Sequence, residues 1–180
     1  PEINKGGDKI VAVHAPANQG YELHILNVQN GHLDERINNE DQYQYAFPTW
    51  IDETRIATIV RKSGKNAIQI IHLGTGKSHL ITPWWSEKIA HLTSHQSYIY
   101  FDGIFNGIDN IYAYSIQDQR IYQVTSTLFG AIQPSISPNG KMLAYSAYSD
   151  MGYDIHTTPV IKENWKPLES AEHSMVDYFE

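Results

Sequence analysis

Two short segments come closest to known metal-binding or catalytic motifs. His91 and His95 are four residues apart, a spacing that brings two imidazoles to one metal ion only on a helix. On a strand the same two residues would lie about 13 Å apart. Residues 74–78 (Gly-Thr-Gly-Lys-Ser) end like a phosphate-binding loop, but isoleucine occupies position 71, where that motif needs glycine. We therefore predict a hairpin turn at 74–78 and no metal ion at the two histidines.

Acidic residues could act as general acids or, where several oxygens converge, as calcium ligands. Spacing along one chain does not ensure such convergence, whereas aspartate side chains commonly hydrogen-bond the backbone of nearby turns. We interpret four aspartates that flank recurring loops as turn-forming residues. They are Asp102, Asp109, Asp150 and Asp154.

The composition excludes several kinds of site. The chain has no cysteine, which rules out disulfides, thiolate zinc sites and cysteine nucleophiles. It also has no Gly-x-Ser-x-Gly segment, the nucleophile turn of α/β-hydrolases. We predict that the chain is not an enzyme and has no catalytic residue, no metal site and no cofactor.

The charge balance bears on possible partners. Thirteen Lys and Arg residues against twenty Asp and Glu residues leave a formal net charge of −7. That balance argues against binding to a phosphate backbone, so we predict no nucleic-acid partner. Every apolar run is much shorter than the roughly 20 residues of a membrane-spanning helix, so we predict no direct membrane insertion.

Two series of apolar runs recur along the chain and predict the elements that position any site. Both series have a period of about 44 residues. The first series begins at Ile10, Ile56, Tyr98 and Met142, with spacings of 46, 42 and 44. The second series is centred on Leu23, Ile68, Ile111 and Ile155, with spacings of 45, 43 and 44.

Tight turns and two further series of apolar runs complete each repeat as four short antiparallel strands. Four such strands in about 44 residues are typical of a β-propeller blade. Runs such as Ile-Val-Ala-Val at 10–13 are apolar at consecutive positions, as expected for a sheet buried on both faces. A sandwich would not explain four copies, and a solenoid repeat would be shorter. We predict an all-β fold, a β-propeller with about four four-stranded blades.

We place the propeller at residues 1–160, with repeat units at about 1–37, 46–82, 89–125 and 132–160. Few residues precede Lys9, and the fourth unit has no clear last strand, so we favour a segment of a larger propeller. The alternative is a four-bladed ring closed by residues 1–8. Residues 161–180 form a C-terminal tail or linker, with a turn or docking strand at 165–167 and a short amphipathic helix at 169–179. The inward-facing residues of that helix would be Met175, Val176 and Phe179.

Residues 133–146 read Gln-Pro-Ser-Ile-Ser-Pro-Asn-Gly-Lys-Met-Leu-Ala-Tyr-Ser and are followed by Gly-Tyr-Asp-Ile at 152–155. This fourth repeat resembles the TolB-like, WD-type bacterial β-propeller repeat, which reads Pro-x-x-Ser-Pro-Asp-Gly-x-x-Ile-Ala-Phe/Tyr-x-Ser and then Gly-x-x-Asp-Ile-Tyr. The departures are Asn139 and His156, and the other three copies are more degenerate. The matching residues are Pro134, Ser137, Pro138, Gly140, Ala144, Tyr145, Ser146, Gly152, Asp154 and Ile155.

The resemblance implies a non-catalytic scaffold that binds protein or peptide partners in the periplasm or cell envelope of a bacterium. The same repeat is similar to the propellers of prolyl-oligopeptidase-like serine peptidases. The alternative is therefore an accessory propeller domain whose catalytic domain lies outside this chain. A propeller enzyme that works at its central channel is a further rival.

Loops at the two ends of the predicted blades differ in composition. At one end the turns are short and plain, whereas at the other they are longer and aromatic. Aromatic residues are enriched at the energetic centres of interfaces, so we predict that the aromatic end binds a protein or peptide. The alternative is that these rings fill the spaces between blades at the sheet margin. The predicted binding residues are Trp84, Trp85, Phe105, Phe129, Tyr148 and Tyr153.

Overall fold

The computed structural model describes residues 1–17 and 20–171. The chain divides into two compact units, Pro1–Ser86 and Glu87–Glu180, and each contains two antiparallel sheets. Among the residues described, no helix has both the length and the hydropathy needed to cross a bilayer. The expectation of an all-β fold is confirmed, because the only helical segments are Lys162–Asn164 and Leu168–Ala171 (α1) within the described ranges.

The first unit holds two four-stranded sheets in which consecutive strands are neighbours. The first sheet consists of β1 (Glu2–Ile3), β2 (Lys9–His14), β3 (Glu22–Asn27) and β4 (Leu33–Ile37). The second consists of β5 (Gln44–Asp52), β6 (Arg55–Lys62), β7 (Lys65–His72) and β8 (Ser78–Leu80). β1 pairs with β2 in the first sheet, so these N-terminal residues complete their own sheet instead of forming the ring-closing strand considered above.

In the second unit one sheet has an additional strand, and the other lacks a fourth strand among the described residues, as the sequence indicated. The third sheet consists of β9 (Ile89–His95), β10 (Tyr98–Gly103), β11 (Asn110–Ser115) and β12 (Arg120–Gln123). The fourth consists of β13 (Ala131–Ile136), β14 (Met142–Ser149) and β15 (Gly152–Pro159). A fifth strand, β16 (Lys166–Pro167), joins the outer edge of β12 in the third sheet, while the fourth sheet has three strands in the described ranges.

The segment after β15 is anchored on the third sheet. The Trp165 ring meets the rings of Tyr98 and Tyr100 edge-on, with centroids 5.2 and 6.0 Å away, and Lys162 Nζ lies 4.2 Å above the Tyr98 ring. Of the two alternatives predicted at 165–167, a turn or a docking strand, the structure shows the strand, β16. α1 begins at Leu168 and is described to Ala171. The predicted inward positions 175, 176 and 179 lie outside the described residues.

The apolar periodicity corresponds to the cores of both units. In the first, Leu23 packs in a cluster with Trp50 and Ile56 of the second sheet. In the second, Ile111 packs with Leu143 of the fourth sheet. Since stacked sheets exclude water from both faces, fully buried aliphatic and aromatic residues at consecutive positions stabilise each sheet.

Pairing with the innermost strand refines the repeat register. Ile56 pairs with Trp50, Ile99 with Ser94, and Leu143 with Ile136. The structure therefore makes Leu143 the equivalent of Ile56, one residue beyond the Met142 chosen from the sequence. Met142 lies on the other face of β14 and is 37% exposed.

A left-handed residue recurs in the innermost strands β5, β9 and β13. Phe47, His91 and Gln133 have φ values of 48°, 50° and 57°, and each lies at a shift in strand register. This conformation costs a residue with a side chain about 1–2 kcal/mol, and a β-bulge redirects the side chain that occupies it. The repeat thus conserves a backbone feature whose side chain differs from copy to copy.

Candidate binding surface and a buried histidine–aspartate pair

Trp84 and Trp85 lie in the loop between β8 and β9, and both are half-buried. The Trp84 ring packs against the core of the first unit and meets the Tyr43 ring edge-on, with centroids 5.5 Å apart. The backbone of Trp85 forms two hydrogen bonds of 2.8 Å with the backbone of Asn66. Both tryptophans are therefore integrated into the first unit, a position that agrees with rings filling a sheet margin.

Phe105, in the loop between β10 and β11, covers the end of the third sheet. It is half-buried, and its ring centroid lies 4.9 Å from that of Tyr112 and 6.4 Å from that of Phe101. Gly103 leaves room for this ring, because a Cβ at that position would lie 2.8 Å from Phe105 Cε2 and 3.3 Å from Ile89 Cγ2.

We expect Gly103→Ala to lower the free energy of unfolding by about 1.5 kcal/mol, because the added methyl group overpacks the site. Urea unfolding followed by circular dichroism measures this loss. In a Phe105→Ala background the same substitution should cost clearly less, since the obstructing ring is gone. Equal costs in the two backgrounds would show that the Phe105 contact does not limit the space at Gly103.

Phe129, Tyr148 and Tyr153 differ from the other predicted residues because their side chains are exposed. Phe129 is 71% exposed, and the rings of Tyr148 and Tyr153, on paired positions of β14 and β15, have centroids 5.1 Å apart. The Tyr148 amide donates to the carbonyl of Gly130, next to Phe129, over 3.3 Å. With three exposed neighbours they form what we call the apolar surface: Leu128, Phe129, Tyr148, Met151, Tyr153 and Ile155.

Ile155 shows how unusual this surface is within the repeat. Leu23, Ile68 and Ile111 occupy the equivalent positions of the other three copies and are fully buried, whereas Ile155 is 82% exposed. In the third sheet this position faces the fourth sheet, where Ile111 packs in one cluster with Leu143. The corresponding face of the fourth sheet carries apolar residues, as a face that packs against another sheet does. Within the described residues, however, this face is exposed.

A pair formed by the half-buried His91 and the buried Asp102 joins the third and fourth sheets. Asp102 is 2% exposed, and its Oδ1 lies 2.7 Å from His91 Nδ1. The same oxygen accepts a 3.0 Å hydrogen bond from the backbone amide of Gln133. One carboxylate therefore binds the left-handed residues of both β9 and β13. In enzymes, a carboxylate often orients the imidazole of a general base in the same way. The pair therefore has the residue types and the contact of such a site.

Asp109 adds a second carboxyl group near this pair. Its pKa is raised, first because burial disfavours the charged form and second because of the negative charge of Asp102, while Lys88 and His91 act in the opposite direction. Its carbonyl accepts a 2.7 Å hydrogen bond from the amide of Ala131. Asp109 therefore lies in a partly desolvated, mixed-charge environment that the sequence motifs did not indicate.

No family model matches this chain, and no curated protein sequence matches it either. Among solved structures, TolB from Acinetobacter baumannii superimposes with a TM-score of 0.76 over 92% of the chain, at 14% identity. The chain has a TolB-like β-propeller fold. It spans 41% of the length of that TolB structure.

Enzymes share the fold as well. A puromycin-hydrolyzing peptidase from Mycobacterium tuberculosis matches 93% of the chain with a TM-score of 0.67 at 13% identity, but only 28% of the peptidase is covered. An oligogalacturonate lyase in complex with manganese matches 92% of the chain with a TM-score of 0.66 at 14% identity, and 51% of the lyase is covered. Likeness at this level of identity shows the fold alone.

Proposed function

We propose that this chain is a non-catalytic β-propeller scaffold that binds a protein or peptide partner in the bacterial cell envelope. The observation that carries the proposal is the apolar surface of the second unit, where six large apolar side chains are exposed on the β14–β15 hairpin and in the loop before β13. Large exposed apolar side chains in one part of a fold usually mark an interaction site. The similarity of the fold to TolB supports the envelope location.

The chemistry of the apolar surface indicates what a partner should present. Phe129 and Tyr153 are rigid aromatic anchors, and Met151 is an adaptable apolar contact. Asp150 is exposed next to Met151, in a chain of net charge −7. We infer a partner segment with apolar residues in the centre and basic residues at its margin, because opposite charges at the rim favour association.

The test uses the double variant Phe129→Ala/Tyr153→Ala, with Trp84→Ala as the matched control. A partner captured from a bacterial envelope fraction is purified, and its affinity for each variant is measured by calorimetry. We expect the double variant to bind at least tenfold more weakly, because truncating aromatic anchors typically costs 2 kcal/mol or more each. Trp84→Ala should retain the affinity of the unmodified chain, since the Trp84 ring packs inside the first unit. Equal affinities of the double variant and the unmodified chain would refute the proposed surface.

A second candidate function is an accessory propeller of a serine peptidase. The match of 93% of the chain to part of the Mycobacterium tuberculosis peptidase favours it. Sequencing the parent gene provides the test, because a downstream segment with Gly-x-Ser-x-Gly and hydrolysis of a peptide substrate by the encoded protein would support this role. A parent gene that encodes no hydrolase domain would eliminate it.

A further inference from the structure

Three potential metal ligands converge at one end of the first sheet. His14 is the last residue of β2 and pairs directly with Glu22, the first residue of β3. His24 follows Glu22 by two residues and therefore points to the same face of the sheet. One ligand atom from each of the three side chains lies within 4.8 Å of the other two. His24 Nε2 is 3.0 Å from Glu22 Oε2, and the rings of His14 and His24 stack with centroids 4.3 Å apart.

We propose that His14, Glu22 and His24 bind a divalent transition-metal cation of the zinc class. Two imidazole nitrogens and one carboxylate oxygen are ligands that Zn²⁺ prefers, and a set of three leaves one position for water or another ligand. With metal–ligand distances of about 2.1 Å, neighbouring ligand atoms lie roughly 3.4 Å apart in a tetrahedron. All three ligand atoms lie within 4.8 Å of one another, so tetrahedral ligation requires rotation of these side chains, which are exposed or half-buried.

The composition of the cluster favours this assignment. Glu22 supplies a carboxylate oxygen beside the imidazole of His24, with the two atoms 3.0 Å apart. The two histidines add nitrogen ligands, which distinguishes this cluster from an ordinary patch of acidic residues.

Arg36 is the group that competes with a bound metal. It lies opposite His24 on β4, and its Nε is 3.4 Å from Glu22 Oε2. Its side chain is 55% exposed and can move into solvent when a cation takes its place beside Glu22. The guanidinium stabilises the carboxylate without metal and repels a cation that approaches it, so Arg36→Gln should bind metal at least as tightly as the unmodified chain.

The spacing of these three ligands along the chain differs from the helical spacing of four residues that His91 and His95 show. From that helical spacing alone, the sequence predicts no metal site. On a hairpin, ligands come instead from residues two apart on one strand and from a paired residue on its neighbour. His14, Glu22 and His24 meet this condition only once the pairing of β2 with β3 is known.

The test titrates Zn²⁺ into the chain and its variants by isothermal calorimetry, with Co²⁺ absorption spectra as an independent report of tetrahedral ligation. We expect one equivalent of Zn²⁺ to bind to the unmodified chain and an affinity at least tenfold lower in His14→Ala, in His24→Ala and in Glu22→Gln. His32→Ala is the matched control, because His32 is an exposed histidine of the same sheet outside the cluster. It should bind Zn²⁺ with unchanged affinity.

Four results would overturn the proposal. The first three are no Zn²⁺ binding by the unmodified chain, unchanged affinity in the His14→Ala and His24→Ala variants, and equal losses in these variants and in His32→Ala. A tenfold weaker affinity in Arg36→Gln would also contradict it, because it would make the guanidinium a requirement instead of a competitor. Circular dichroism of each variant confirms that the sheet still forms, so a loss of binding reports on the ligands.

Discussion

Replacing Asp102 by alanine should lower the free energy of unfolding by about 3 kcal/mol, because it removes a buried acceptor shared by the half-buried His91 ring and the Gln133 amide. The substitution removes the oxygen that lies 2.7 Å from His91 Nδ1 and accepts the amide of Gln133. Both partners are left-handed residues, and their backbone conformation depends on local contacts. We expect the loss to concern the second unit, where all three residues lie.

Urea unfolding followed by circular dichroism measures this effect, with two comparison variants. Asp102→Asn keeps an acceptor oxygen for the Gln133 amide, so it should recover part of the lost stability. Asp150→Ala removes an exposed aspartate of the same unit and should change the free energy of unfolding by less than about 0.5 kcal/mol. A loss in Asp102→Ala as small as that in Asp150→Ala would show that the pair does not hold the sheets together.

Asn110→Ala should be similarly damaging, with a loss of about 3 kcal/mol. Asn110 is fully buried, and its Oδ1 accepts hydrogen bonds from the Thr127 amide over 3.0 Å and from the Thr125 hydroxyl over 3.1 Å. The Thr125 hydroxyl in turn accepts the amide of Ile111 over 2.9 Å. The substitution therefore weakens the attachment of the loop after β12 to the start of β11 and removes the acceptor of the Thr127 amide and the buried Thr125 hydroxyl.

Asp154→Ala is the matched control for Asn110→Ala, because Asp154 occupies the equivalent position of the fourth repeat but is exposed. Its effect on the unfolding midpoint in urea should be close to zero. The loop that Asn110 holds also carries Phe129, so Asn110→Ala should weaken partner binding together with stability. If Asn110→Ala and Asp154→Ala unfold at the same urea concentration, the buried network does not contribute as described.

The periodicity of the sequence predicted the sheets because burial acts on every copy in the same way. Ile68 and Ile111 recur at one position of the repeat, and both are fully buried. Turn chemistry added the boundaries, since residues 74–78 form a hairpin turn and the start of β8, as expected. The local sequence therefore suffices to predict strands and turns whose surroundings are the same in every repeat.

The histidine–aspartate pair could not be found from motif spacing, because it depends on how β9 pairs with β10. Counting back from the tight turn after His95 places His91 opposite Asp102, and this count was the available signal. The left-handed bulge at His91 then shifts the register, so that Ala90 pairs with Asp102. The residue type at position 91 does not predict the bulge, because phenylalanine and glutamine occupy the equivalent left-handed positions of the other strands.

The exposure of the aromatic loop residues could not be predicted from the local sequence either. Trp84 and Phe129 both lie in loops that follow the last strand of a sheet, yet one ring packs into a core and the other is 71% exposed. The difference depends on what the rest of the fold brings to each loop. Protein binding through Phe129, Tyr148 and Tyr153 accordingly stays a prediction, to be tested by the variants described above.

The docking of β16 on β12 has a consequence for biosynthesis. Tyr122 pairs with Pro167, so the outer edge of the third sheet stays unpaired until a segment 45 residues further along the chain has been synthesised. At about 5–20 residues per second, a ribosome needs roughly 2–9 s to deliver that segment. During this interval a nascent chain presents the unprotected edge of β12 to chaperones and to neighbouring chains.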